Sequence, residues 1–318
     1  MSTPLIGHNR QITYINKSRS RGRLPHAYLF HGLEHLGKLT LATMLAQSFF
    51  CLRATKTDIR SVCGTCIACA AITGRTHPHV IFLDTHHTLI SKKETRKVIP
   101  IEDIRELKRI FSLSPAGDVW RLAIINEADK MSEEAAAAFL KLLEEPGPQT
   151  LIMLIAPSRD LVLPTILSRV QAVGFFPVPE SSLRAYMQTN NIPAKEQDKL
   201  LALAAGLPGI FMRLCNNAKY AQEEQAFADE IEQVIQGRDI LNALRLSETI
   251  APDSVLREKA VGRIISLLRG QLITGLDISS DRMIKKIKYI DRIAMLLETT
   301  NANPRLGMDV IFLESMKI

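Results

Sequence analysis

The chain is 318 residues long, with 46% hydrophobic and 23% charged residues, the balance of an ordinary globular protein of two or three domains. Its start, Met-Ser-Thr-Pro-Leu-Ile-Gly-His, lacks a basic-then-apolar leader, and no apolar run approaches the roughly 18 residues a bilayer span requires. On those grounds a cytoplasmic protein with no membrane partner is expected. A net charge of +7 and a pI near 9.2 tilt the partners toward polyanions. The cations are nevertheless scattered in short groups that each read first as solvated surface: Arg19, Arg21 and Arg23; Lys92, Lys93, Arg96 and Lys97; Lys285, Lys286 and Lys288.

In chain order, residues 4–23 predict a short helix with Ile12 and Ile15 as its apolar positions. A strand is predicted over 27–30 and a helix over 38–50, and the cysteine-rich stretch 51–69 follows. Residues 79–84 predict a buried strand, then a polar, basic loop over 85–97. Ile101, Ile104, Leu107 and Phe111 recur at three to four residues and predict an amphipathic helix after Pro100. Further strands are expected over 121–126, 151–155 and 171–175. Between them come a helix capped by Ser132 and running to 145, and a short helical segment over 161–167. Strands alternating with helices at this spacing predict a parallel sheet covered on both faces. After Pro177 and Pro179 the strand signals vanish, and the sequence is helical in pattern to its end. The expected domains are an α/β core over 1–178, a small helical domain over 179–218 and a helical bundle over 219–318.

Three stretches carry chemistry. The first is Gly32-Leu33-Glu34-His35-Leu36-Gly37-Lys38, the Gly-x-x-x-x-Gly-Lys frame of a phosphate-binding loop, set between a strand and a helix as such a loop requires. The residue after the lysine should carry a hydroxyl for Mg²⁺, and here it is Leu39. Thr40 could replace it, but one step along a helix turns a side chain by about 100°. The acidic pair expected at the end of a later strand is Asn126-Glu127, and a neutral amide oxygen is a weaker partner for a hard dication than a carboxylate. Glu127 could still orient water. If the loop holds ATP or ADP, it does so through backbone and Lys38, and efficient hydrolysis is not expected. A strand-turn-helix that binds no nucleotide is the alternative.

The second stretch supplies Cys51, Cys63, Cys66 and Cys69. Four soft ligands within nineteen residues, in a chain with no secretion leader, suit tetrahedral Zn²⁺, and Gly64 permits the tight turn of a Cys-Gly-x-Cys knuckle. With four protein ligands the metal is expected to be structural. An iron–sulfur cluster and ordinary buried thiols are the other readings. Cys215 stands alone in helical sequence and reads as a small core residue. His77 and His79 are close by, but four cysteines already fill a tetrahedral site.

The third is Leu163-Pro164-Thr165-Ile166-Leu167-Ser168-Arg169. An arginine directly after a short capped segment, at the edge of a nucleotide-binding sheet, can serve as a finger on a transferring γ-phosphate. A surface or salt-bridged arginine is the plainer reading.

The order of these elements resembles the bacterial clamp-loader ATPases of the AAA+ class. Residues 24–32, the cysteine module after the loop's helix, Ala128-Asp129-Lys130-Met131, the Leu-Leu-Glu-Glu-Pro of 142–146, Leu163 to Arg169, and Ala302-Asn303-Pro304-Arg305-Leu306 carry the likeness. Within that group Gly37-Lys38-Leu39 and Asn126-Glu127 are similar to the delta-prime family of DNA polymerase III subunits rather than to the motor (tau/gamma) subunits, which keep Gly-Lys-Thr and an acidic pair. The sequence departs from the wider pattern at Val170, at Ile155-Ala156-Pro157-Ser158, where only Ser158 could stand in for the polar sensor residue of motor subunits, and at Gly206-Leu207-Pro208-Gly209, which lacks an arginine.

The resemblance implies a RecA-like AAA+ core with a zinc module, a helical lid and an all-α collar. It also implies a hetero-pentamer with motor and delta subunits, acting on the sliding clamp and primed DNA. Arg169 would then reach the ATP of an adjacent motor subunit, and this chain, a subunit of a DNA-directed DNA polymerase holoenzyme, would have little or no ATPase activity of its own. Two alternatives stand beside it: an autonomous AAA+ ATPase acting on DNA, and a zinc-dependent DNA-binding protein with a vestigial loop.

Overall fold

A computed structural model describes residues 4–55, 57–87, 89–90, 96–112, 119–273 and 280–317. Lys92 and Lys93 of the second basic group lie outside the described residues. The chain divides into two compact units, one of residues 1–191 with 206–209, the other of residues 192–205 with 210–318.

The first unit runs α1 (Asn9–Ser20), β1 (Ala27–His31), α2 (Lys38–Phe50), α3 (Ile67–Thr73), β2 (Val80–Leu83), α4 (Ile101–Ser112), β3 (Arg121–Ile125), α5 (Glu133–Glu144), β4 (Thr150–Ala156), α6 (Pro164–Leu167), β5 (Gln171–Gly174) and α7 (Glu180–Thr189). The five strands form one parallel sheet in the order β2-β3-β4-β1-β5, with Leu29 opposite Leu154 and Ala172. Side chains alternate across it. Ala27, Leu29, Ala123, Ile125, Ile152 and Leu154 join one core with α4, α5 and α6. Tyr28, Phe30, Leu122, Ile124, Leu151 and Met153 join a second core with α1, α2 and α3. This is the α/β architecture predicted from the alternating pattern, a parallel sheet with helices on both faces.

Local chemistry sets the element ends. Ser132 accepts a hydrogen bond from the Ala135 N–H at 3.1 Å and caps α5, and Pro164 occupies the first turn of α6. The helical segment expected over 161–167 is in fact two pieces. Ser158 accepts from the Asp160 N–H and opens a 3-10 turn over Arg159–Leu161, and Pro164, which has no N–H to give, starts α6 afresh. Arg19 is less solvated than its grouping suggested. Its guanidinium donates to Ser48 Oγ at 2.7 Å and Ser48 O at 2.9 Å and lies over the Phe49 ring.

The second unit contains α8 (Ala194–Ala204), most of α9 (Pro208–Asn216), α10 (Ala218–Gly237), α11 (Ile240–Ile250), α12 (Ser254–Ile273), α13 (Ser280–Thr299) and α14 (Pro304–Met316). Ile231, Ala243, Ile264, Met283, Ile290, Ile311 and Phe312 build its core. The sequence 302–306 has a physical reading here: the Asn303 side chain accepts from the Arg305 and Leu306 N–H groups, with Pro304 at the first position of α14. Lys286 is buried rather than solvated, its ammonium donating to Lys317 O. Among the described residues, no helix is long and apolar enough to cross a membrane.

Candidate functional site

The loop after β1 lies at the C-terminal edge of the sheet, where β1 sits between β4 and β5 and where parallel sheets place their ligands. Gly32 leaves the strand at a φ of +138°, and its N–H donates to Pro157 O at 3.2 Å, tying the loop to the end of β4. A Cβ on Gly32 would stand 2.3 Å from Phe175 O, so the residue type is dictated by backbone approach. Gly32→Ala is accordingly expected to destabilise the chain by about 1–3 kcal/mol. Chemical unfolding checks this: the midpoint should fall at constant slope, and an unmoved midpoint would contradict the close approach.

Gly37 precedes α2 at a φ of +90°. Lys38, the residue that would meet a phosphate, is buried, and its ammonium donates to Gly32 O and, at 2.6 Å, to Leu33 O. Two loop carbonyls thus face the lysine, whereas a phosphate cradle presents N–H groups. His8 Nε2 donates to Leu36 O at 2.6 Å, and burial lowers the pKa of that imidazole. The Gly209 N–H donates to His35 O at 2.7 Å, so the segment 206–209 closes against the loop. Leu39 packs on the Tyr28–Phe30 core, and Thr40 is half-buried.

Asn126 follows β3 directly, its N–H donating to Leu83 O at 2.8 Å. Glu127 follows at a φ of +59° and is heavily engaged. Its carboxylate accepts from Thr85 Oγ1 at 2.5 Å, the Thr85 N–H at 3.2 Å and Lys130 Nζ at 2.6 Å. Burial pushes this carboxyl up, but the hydrogen bonds from Lys130 and Thr85 outweigh it and hold the pKa below the ordinary glutamate value. A carboxylate held in this way is poorly placed to take a proton from water at neutral pH. Thr85 was invisible as a partner in the sequence, where it merely opened a polar loop. Asp129 is half-buried, and burial raises its pKa.

Cys51 closes α2, Cys63 and Cys66 flank the turn at Gly64, and Cys69 lies in α3, fully buried. Their four sulfurs lie within 4.8 Å of one another. Cys51 Sγ is 3.6 Å from Cys63 Sγ and 4.0 Å from Cys66 Sγ. Tetrahedral zinc at about 2.3 Å from each thiolate sets sulfurs roughly 3.8 Å apart, so the cluster has the right dimensions. The Cys66 N–H points at Cys63 Sγ at 3.3 Å, and the Cys63 N–H at Cys51 Sγ at 3.4 Å, donors that favour thiolates. The Cys63 pKa is accordingly lowered to about 6, first by the Thr65 N–H, whereas burial pushes the Cys69 thiol up. A cation would bring all four to the thiolate form. His79 stacks on Phe50, His77 lies tilted against it, and both stand outside the cluster. The Cys215 thiol, half-buried, is likewise raised by burial.

Arg169 follows α6 on the surface of the same unit. Its Nε and Nη2 both donate to Glu144 Oε1, at 3.1 and 2.7 Å, and its Nη1 donates to Thr165 O at 3.0 Å and Ser168 Oγ at 2.9 Å. Glu144 was read in the sequence only as part of Leu-Leu-Glu-Glu-Pro. The fold gives it a partner.

Residues 7–179 match the family described as DNA polymerase III, delta subunit. The subunit delta′ of DNA polymerase III from Bacillus subtilis is 30% identical over 229 residues, 72% of this chain and 65% of its own length. The subunit delta′ from Pseudomonas aeruginosa is 28% identical over 275 residues, 85% of this chain and 80% of its own. The tau subunit from Escherichia coli is 26% identical over 318 residues, 98% of this chain but 46% of that subunit. The chain thus spans just under two thirds of the Bacillus relative and less than half of the tau subunit.

Proposed function

The chain belongs to the DNA polymerase III delta subunit family, with delta-prime subunits among its relatives, and from that premise we propose that it is a cytoplasmic clamp-loader subunit that assists ATP-dependent loading of the sliding clamp onto primed DNA without turning over ATP itself. Its partners are motor (tau/gamma) and delta subunits in a hetero-pentamer, joined through a collar over 219–318, with 179–218 as a lid. Arg169 is given in trans to the ATP of a motor neighbour.

One observation carries the reading. Lys38 is satisfied by carbonyls of its own loop, and the two positions that would hold Mg²⁺ are a core-packed Leu39 and the neutral Asn126. A loop so arranged retains the shape of a nucleotide site while the ammonium of its lysine is turned onto the loop's own carbonyls. Any ATP or ADP held there would be static, bound through Gly32, Gly37, Lys38 and Thr40. The cysteine cluster fits structural Zn²⁺ in donor set and spacing. When bound, the ion supplies no reaction chemistry: it crosslinks α2, the knuckle and α3.

Co-purification tests the assignment. The chain is expected to form a stable assembly with a tau-type motor subunit and to raise its clamp- and DNA-stimulated ATP hydrolysis. Alone, it is expected to show no turnover. Mg²⁺-dependent hydrolysis by the purified chain, abolished by Lys38→Ala, would overturn the assignment in favour of an autonomous ATPase.

A further inference from the structure

The clasp on Arg169 uses nearly all of its donors. A guanidinium has five N–H groups. Two are directed at Glu144 Oε1 through Nε and Nη2, and two at Thr165 O and Ser168 Oγ through Nη1. One Nη2 hydrogen is left. A planar fork recognises a phosphate by presenting an edge of two parallel N–H groups. The arrangement seen here has no complete edge to present.

The contacts to Thr165 and Ser168 are local, within four residues of the arginine, and move with it. Glu144 is different. It belongs to the last turn of α5, 25 residues away in sequence, and it contributes a full negative charge beside the group whose positive charge a finger supplies. Both partners are partly exposed, the side chains at 36% for Arg169 and 50% for Glu144, so the pair lies where another charged surface can reach it. Exposure also makes it weak enough to exchange.

The geometry points to Glu144 as a latch on the finger: its carboxylate competes with the γ-phosphate for the Nε–Nη2 edge of Arg169, and must be displaced before the arginine can act in trans. This rests on the assignment of Arg169 as a finger. Glu144 touches neither nucleotide nor metal in this scheme; it acts through Arg169. A residue of this kind suppresses hydrolysis in the loosely assembled state and yields once the neighbour's phosphate is brought close. Release swaps one anion for another on the same donors, so the exchange has little net cost and responds to small shifts in subunit placement.

The test is ATP turnover by the assembly with a tau-type motor subunit, measured without clamp or DNA, for Glu144→Gln, Arg169→Ala and the double variant. Glutamine keeps the shape and removes the charge, and at this exposed position it leaves folding intact, which thermal unfolding of the chain checks. Losing an exposed ion pair corresponds to a rise of about two- to fivefold in the unstimulated rate. The rise is expected in Glu144→Gln and is expected to vanish in the double variant, which should match Arg169→Ala. A Glu144→Gln rate equal to or below wild type overturns the latch while leaving the finger standing, provided that Arg169→Ala slows turnover. If Arg169→Ala changes no rate, the finger assignment itself fails, whatever Glu144→Gln does.

Discussion

Arg169→Ala is expected to slow ATP hydrolysis at the adjoining motor site by roughly 10³-fold or more, the scale on which arginine fingers act in phosphoryl transfer. The cause is electrostatic. Negative charge spreads over the γ-phosphoryl oxygens in the transition state, and a fixed guanidinium in a water-poor interface stabilises that charge more than the ground state. Single-turnover kinetics would show the fall at one site, even where other sites in the assembly continue. Arg169→Lys keeps the charge and loses the fork, and it is expected to recover little. Ser168 and Thr165 hold Nη1 at 2.9 and 3.0 Å, so one end of the guanidinium is placed before the neighbour arrives, which lowers the entropy lost on docking. An unchanged single-turnover rate in Arg169→Ala would remove the residue from the chemistry.

Cys66→Ser is expected to abolish binding of one zinc ion per chain and to destabilise the first unit by roughly 3–5 kcal/mol, as losses of structural metals do. Leu52 and Ile67 are almost fully exposed beside the knuckle, and among the described residues Ile59, Cys69 and Ile72 are the side chains of this stretch that reach the core. Elemental analysis and chemical unfolding, with and without a chelator, measure the two effects. Acid should strip the metal in the same manner, because protons compete with it for the thiolates. Iron in place of zinc, or full stability after metal removal, would contradict the structural-zinc reading.

Much of the fold was legible because both faces of the sheet are buried. Residues 122–125 and 151–155 are continuous apolar runs, so the strands stood out, and α2 spans the predicted 38–50. Strand ends were less visible. Residues 79 and 84 were expected within β2, but the strand is Val80–Leu83. Asp84 turns away to accept from the His86 and His87 N–H groups and to pair with Arg75. Local hydrogen bonding of this kind competes with a ladder without altering hydrophobic pattern.

At the site, residue types were readable and their use was not. Leu39 and Asn126 announced a weakened metal position in the sequence. The inward turn of Lys38 onto Gly32 O and Leu33 O depends on backbone torsions that no side-chain pattern records. The clasp between Arg169 and Glu144 required the packing of α5 against α6 across 25 residues. The same holds for Thr85 and Glu127, 42 residues apart.

The central claim is that the chain serves ATP chemistry next door and performs none at its own loop. Steady-state ATP turnover of the reconstituted assembly, with Lys38→Met in this chain alone, tests it most directly. Methionine keeps the buried stem of Lys38 and deletes the ammonium that any nucleotide at this loop would need. Turnover is predicted to stay within about twofold of wild type, since the small loss reflects only stability. Turnover that falls as far as in Arg169→Ala would contradict the account and make this loop a working site.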